Sequence, residues 1–187
     1  MFFNRLKIWF LNYGAGKYQN SILDHLSIKE GAYIADIGSG GGVFTLAMAE
    51  RAGEYGRIYA VDINTKNLLH IGKTAIKTGL AERIVLTPAE TNNCNLASSV
   101  CDLAFSCHSF HHINEPEKYF EKVAEALKPE GQLAVIDYDG TIGFPKTIGH
   151  FTRPDRIKAV LEDTGFTLMR SYDFLPGQSF QIFRKAG

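Results

Sequence analysis

The chain has 187 residues, enough for a single domain with a substantial core. Hydrophobic residues at 45% and charged residues at 21% are ordinary globular values, and 20 basic residues balance 20 acidic ones. Zero formal charge excludes a sequence-wide electrostatic grip on nucleic acid, and no nucleic-acid partner is expected.

Near the start, Ile8 to Leu11 is too short for a signal-peptide core, and Arg5 and Lys7 interrupt what precedes it. Phe2, Leu6, Trp9, Phe10 and Tyr13 recur at helical spacing. A helix packed on the domain is favoured over one touching a membrane surface or covering an active site. Gly14-Ala15-Gly16-Lys17 lacks the earlier glycine of a phosphate loop (Leu11 stands there) and the following hydroxyl (Tyr18), so it reads as a loop. Ser21 to Leu26 is a short helix, and Lys29-Glu30-Gly31 turns into a first strand over Tyr33–Ile37. Gly38, Gly40, Gly41 and Gly42 follow, then a helix from Val43 to Ala52.

Gly53 to Gly56 turns into a second strand, Arg57 to Asp62. Asn64 caps a helix to Thr78, which Gly79 ends. Ile84 to Thr87 is the third strand, stopped by Pro88, and Glu90 to Ser99 reads as a loop or irregular helix. Cys101 to Cys107 is the fourth strand. In Asn114-Glu115-Pro116-Glu117, Asn114 is the expected cap of a helix that buries Tyr119, Phe120, Val123 and Leu127. Pro129-Glu130-Gly131 turns into a fifth strand, Gln132 to Asp137. A glycine-rich loop, Asp139 to Gly149, leads to a helix that opens at Thr152-Arg153-Pro154-Asp155 and ends near Gly165. Phe166 to Asp173 and Ser179 to Arg184, joined at Leu175-Pro176-Gly177, form a hairpin. The alternation implies a doubly wound, Rossmann-like α/β fold: a seven-stranded, mostly parallel sheet with a C-terminal antiparallel hairpin.

The stretch Asp36-x-Gly38-x-Gly40-x-Gly42, between a buried strand and a helix, carries the most chemistry. Side-chain-free backbone lets a ligand approach beside a positive helix N-terminus. A dinucleotide turn would place its third glycine where Val43 stands, and an acid just before the glycines suits a cation better than a pyrophosphate. The stretch resembles motif I of the class I S-adenosylmethionine-dependent methyltransferases. The resemblance extends through ordered motifs from Ile34 to Asp137, and more weakly over Arg153 to Gly165. It looks closest to the small-molecule branch that includes ubiquinone and menaquinone biosynthesis enzymes.

The resemblance implies S-adenosyl-L-methionine as cofactor. Asp36, Gly38, Ser39, Gly40 and Gly42 would pass beneath its methionine part. Asp62, 26 residues after Asp36, would accept both ribose hydroxyls, with a helix cap as its plainer role, and Ile63 would lie on the adenine face. The family usually follows the third strand with an acid and an alanine, whereas this chain has Pro88-Ala89-Glu90. The adenine contact is then expected from the backbone of Ala89, or from Glu90 or Asn92. The backbone around Ser106 and Cys107 would close the methionine end. The implied organisation is one domain: residues 1–30 a helical cover, 31–137 the cofactor-binding core, and 138–187 the substrate-side loop, helix and hairpin.

Cysteines and histidines crowd the fourth strand and its exit, Cys101 to Ile113. The three cysteines, Cys94, Cys101 and Cys107, form no C-x-x-C, and a reduced, cytoplasmic compartment is the simplest reading. Cys101 and Cys107 lie ~20 Å apart on an extended strand and share no metal. Cys107, His108, His111 and His112 can approach one another without matching a structural zinc pattern, so no metal is expected. The cysteines read as core residues and the histidines as pocket lining.

The reading that results is methyl transfer from S-adenosyl-L-methionine to a small or lipid-like acceptor. His108, His111 and His150 are the catalytic candidates, with Tyr18 and Asp139 as further pocket groups. Two rivals stay open: a nicotinamide oxidoreductase on the same fold, and a non-catalytic binding or assembly protein.

Overall fold

A computed structural model describes residues 17–141 and 149–186. The expected N-terminal helix and the middle of the loop after the fifth strand lie outside the described residues. The chain divides into two compact units, one ending at Ala89 and the other beginning at Glu90.

In the first unit, α1 (Gln19–His25) precedes β1 (Tyr33–Ile37), α2 (Val43–Arg51), β2 (Arg57–Asp62), α3 (Thr65–Thr78) and β3 (Ile84–Pro88). The strands are parallel, with Asp36 opposite Ala60 and Asp62 opposite Pro88. Pro88 closes β3 at a position where its missing N–H does least harm. The α3 boundaries match the sequence signals. Asn64 accepts the Lys66 N–H at 3.1 Å, and Gly79 ends the helix in the left-handed region at φ 72°. Leu68, Ile71 and Ala75 recur every three or four residues and are buried. Leu68 and Ile71 pack on Ala60 of β2 with Ile84 beside them, burial worth ~2 kcal/mol for Ile71 alone.

The second unit contains β4 (Cys101–Cys107), α4 (Pro116–Ala126), β5 (Leu127–Tyr138), α5 (Pro154–Asp163), β6 (Phe166–Tyr172) and β7 (Gln178–Lys185). Over 90–99 the chain is a loop with a single bridge, Glu90 to Asn93, and no helix. The cap of α4 is Glu115, not Asn114, and no side chain bonds the first turn. Pro116 disfavours helical backbone at the residue before it, and Glu115 at φ −121°, ψ 69° lies outside the helical region, which moves the cap to the residue next to the proline. Strand β5 begins five residues earlier than expected. Leu127 pairs with Cys101 and Gln132 with Leu103, so 128–131 bulge out of the ladder, with Glu130 left-handed at φ 61°. The expected turn there is a bulge within a longer strand. Phe105, Phe120, Phe180 and Phe183 fill this unit's core.

Strand order in the sheet is β3-β2-β1-β4-β5-β7-β6, and β7 is antiparallel to both neighbours. This is the seven-stranded, doubly wound architecture expected from the sequence.

Candidate functional site

In the first unit the chain leaves β1 through three left-handed glycines, Gly38 (φ 71°), Gly40 (φ 51°) and Gly42 (φ 81°). The N–H groups of Gly38 and Ser39 both donate to the Val61 carbonyl, at 2.8 and 3.0 Å, and the Gly42 N–H donates to the Ser39 carbonyl at 2.8 Å. Gly42 is also the cap of α2. A Cβ there would stand 2.6 Å from Ile71 Cγ1, so both backbone angle and space require glycine.

Two carboxylates flank this turn. Asp62 Oδ2 accepts the Gly40 N–H at 2.8 Å and the Asn67 side-chain amide at 3.2 Å, and Oδ1 accepts the Asn64 N–H at 2.7 Å. Asp62 is therefore not the cap of α3, which is Asn64; it ties the glycine turn to the start of that helix. Asp36 is buried at 3% exposure and accepts the Thr45 hydroxyl at 2.5 Å. Burial pushes its pKa up to about 7, against the Thr45 hydrogen bond, with the nearby Asp62 charge adding to the rise. Ser39 Oγ, in the same turn, is buried with no hydrogen-bond partner among the described residues.

Ile63, after β2, is 65% exposed, an apolar surface at the end of a strand. The Ala89 N–H donates to the Asp62 carbonyl at 3.1 Å. Tyr18 is half-buried at the cap of α1.

In the second unit, Glu90 and Asn92 are exposed, and the Glu90 backbone is paired with Asn93. Cys107 is half-buried at the end of β4, while Cys94 and Cys101 are buried free thiols, Cys101 pushed up to about 12 by burial. His108 adopts φ 53°, stacks on Tyr138 at 4.2 Å, and bonds Gln178 Oε1 through Nε2 at 2.6 Å. Its Nε2 is thus the donor, and burial holds its pKa below the ordinary value.

His111 lies in the 3-10 turn Phe110–His112 that follows β4. Its Nδ1 meets Asp137 Oδ1 at 2.6 Å, and its N–H donates to Asp137 Oδ2 at 3.0 Å. Asp137 is fully buried and also accepts the Tyr138 N–H at 2.9 Å. The His150 ring lies 5.5 Å from that of His111 and 5.2 Å from that of His112. Asp139 accepts both the backbone N–H and the hydroxyl of Thr141, and lines a cavity of about 600 Å³ with Gly140, Phe151 and Arg153.

The sequence does not foreshadow three side-chain partners: Thr45 on Asp36, Gln178 on His108, Asp137 on His111. Only the last has a signal, since Asp137 ends an apolar strand as Asp36 and Asp62 nearly or fully do.

Residues 35–135 match a protein family described as a methyltransferase domain. The chain belongs to that family. Two curated relatives are a ubiquinone/menaquinone biosynthesis C-methyltransferase UbiE from Hydrogenovibrio crunogenus and a demethylmenaquinone methyltransferase from Bacillus velezensis. The first is 26% identical over 112 residues, covering 59% of this chain and 44% of the relative. The second is 26% identical over 121 residues, covering 65% and 52%. The chain spans about half the length of these relatives. Among solved structures, a SAM-dependent methyltransferase from Aquifex aeolicus superposes with a TM-score of 0.87 at 24% identity, covering 96% of this chain and 97% of that one. By family the chain is a methyltransferase domain, and it shares the fold of that Aquifex enzyme, whose name gives S-adenosyl-L-methionine as its cofactor. The first unit's residues fit that group. Gly38 is exposed and Gly40 half-buried in the turn, Ser39 Oγ has no hydrogen-bond partner among the described residues, and Asp36 is a buried carboxyl beside the turn.

Proposed function

We propose that the chain transfers a methyl group from S-adenosyl-L-methionine to a small or lipid-like acceptor. The Asp62–Gly40 tie carries the cofactor half of this reading, because it places an acid and a glycine turn together as one rigid element. Asp36 is assigned to the ammonium of the methionine part, Ser39 to its polar atoms, Asp62 to the ribose hydroxyls, and Ile63 to the adenine face. Four acceptor sites on a carboxylate leave Asp62 room beyond its three protein donors. Adenine is held by shape and apolar contact at Ile63, with the Ala89 backbone, Glu90 or Asn92 assigned to its amino group.

The cofactor supplies an electrophilic methyl on a good leaving group. The protein's task is to orient the acceptor, keep water out and, for a hydroxyl or acidic carbon, remove a proton. The acceptor class is supported by relatives named for ubiquinone and menaquinone biosynthesis and by the absence of net charge. The test is calorimetric titration with S-adenosylhomocysteine and with NAD, followed by a methyl-transfer assay on extracted small molecules and quinones. S-adenosylhomocysteine binding and a methylated small product are expected. NAD binding alone, or methylation of protein or nucleic acid only, would overturn the reading.

A further inference from the structure

His111, His112 and His150 each offer a ring nitrogen, and these ligand atoms all lie within 4.8 Å of one another. Sequence spacing brings Cys107, His108, His111 and His112 near one another but gives no sign of His150, 38 residues beyond His112. We propose that this trio binds a divalent transition-metal ion of the zinc class.

Three facts carry the assignment. First, the geometry is within reach of coordination. A tetrahedral ion with metal–nitrogen bonds of about 2.1 Å needs nitrogens roughly 3.4 Å apart, and the three ligand atoms already lie within 4.8 Å of one another. Second, His111 is already oriented. Its Nδ1 is held by Asp137 at 2.6 Å, and Asp137 is fixed in turn by the backbone N–H groups of His111 and Tyr138. With the proton on Nδ1, Nε2 carries the lone pair. A buried carboxylate behind a histidine is the arrangement that fixes the tautomer and raises the basicity of metal ligands. Third, one divalent cation can take all three imidazoles as neutral donors, each through one ring nitrogen.

The donor chemistry selects the class of ion. Three imidazole nitrogens without thiolate or further carboxylate suit zinc, cobalt, nickel or copper over magnesium or calcium. Three protein ligands leave a fourth position open to water or to an oxygen of a bound molecule. His112 and His150 are exposed, so the ion has a path from solvent.

The test uses untagged full-length protein stripped with a chelator, then titrated with zinc chloride by calorimetry and with cobalt chloride by visible absorption, without methyl donor or acceptor. One equivalent should bind with micromolar or tighter Kd, and cobalt should give visible bands of a low-coordinate nitrogen site. His112→Ala and His150→Ala, both at exposed positions, should weaken zinc at least 100-fold with unchanged circular dichroism. Asp137→Asn should weaken it ~10–100-fold. Cys107→Ser should leave it unaltered. Zinc binding weaker than ~0.1 mM, or binding that survives His150→Ala and falls with Cys107→Ser, would overturn the proposal. Neither result depends on cofactor binding, so the methyltransferase reading stands or falls separately.

Discussion

Asp62 holds the Gly40 N–H at 2.8 Å, so the acid that ends the second strand is bonded to the turn that follows the first. The two motifs are read separately in sequence, 22 residues apart, yet they form one element. Removing the acid therefore does two things at once. Asp62→Ala deletes the proposed ribose acceptor and frees Gly40, and affinity for S-adenosylhomocysteine should fall by ~2–3 kcal/mol. Asp62→Asn can still accept through its carbonyl and should lose less. Equal affinities for wild type and Asp62→Ala by calorimetry would reduce Asp62 to a turn brace.

Asp36 gives a pH signature. Burial raises its pKa from 3.8 to about 7. Between those values the folded state binds the proton more tightly than the unfolded state. Stability from this group is therefore full below about pH 4 and is lost as pH rises through 7. A ligand ammonium favours the ionised form, so binding below pH 7 must release a proton. At pH 6.5 the calorimetric enthalpy for S-adenosylhomocysteine should vary with buffer ionisation enthalpy, and Asp36→Asn should remove that variation. Identical enthalpies across buffers for the wild type would show that Asp36 does not titrate with the ligand.

Gly42 is tested by one methyl group. Gly42→Ala imposes φ 81° on a residue with a Cβ and drives that Cβ to 2.6 Å from Ile71. Strain and overpacking together should cost ~2–4 kcal/mol of folding stability, seen as a lower denaturant midpoint. Gly42→Ala should cost less in an Ile71→Ala background, which deletes the Cγ1 that the new Cβ meets, than in the wild type, whereas strain at φ alone would cost the same in both.

Most of the architecture was legible because local signals agreed with the tertiary outcome. Asn64 and Gly79 bracket α3 as capping chemistry dictates, and Asp36-x-Gly38-x-Gly40-x-Gly42 is a turn that only left-handed glycines can make. The reading failed where structure depends on what lies across the chain. Pro129-Glu130-Gly131 looks like a turn, but pairing of Leu127 with Cys101 keeps it inside the ladder as a bulge. The histidines after β4 looked like isolated pocket residues, since neither Asp137 nor His150 is near them in sequence. A tether or ligand set assembled from distant segments leaves no spacing to count.

His108 supplies the last prediction, because its backbone and its ring pull in opposite directions. The residue sits at φ 53°, where a side chain costs ~1 kcal/mol relative to glycine. Its ring compensates by stacking on Tyr138 at 4.2 Å and meeting Gln178 at 2.6 Å. His108→Ala keeps the backbone cost and loses both ring contacts, so it should destabilise the fold by ~2–3 kcal/mol. His108→Gly loses the same contacts but relieves the backbone, and should be ~1 kcal/mol more stable than His108→Ala. In both, Gln178 is left without its partner, and adding Gln178→Leu should be less harmful than in the wild type. Denaturant unfolding of His108→Ala, His108→Gly, Gln178→Leu and the two double variants measures each difference. His108→Gly no more stable than His108→Ala would mean that the left-handed backbone at this position stores no strain.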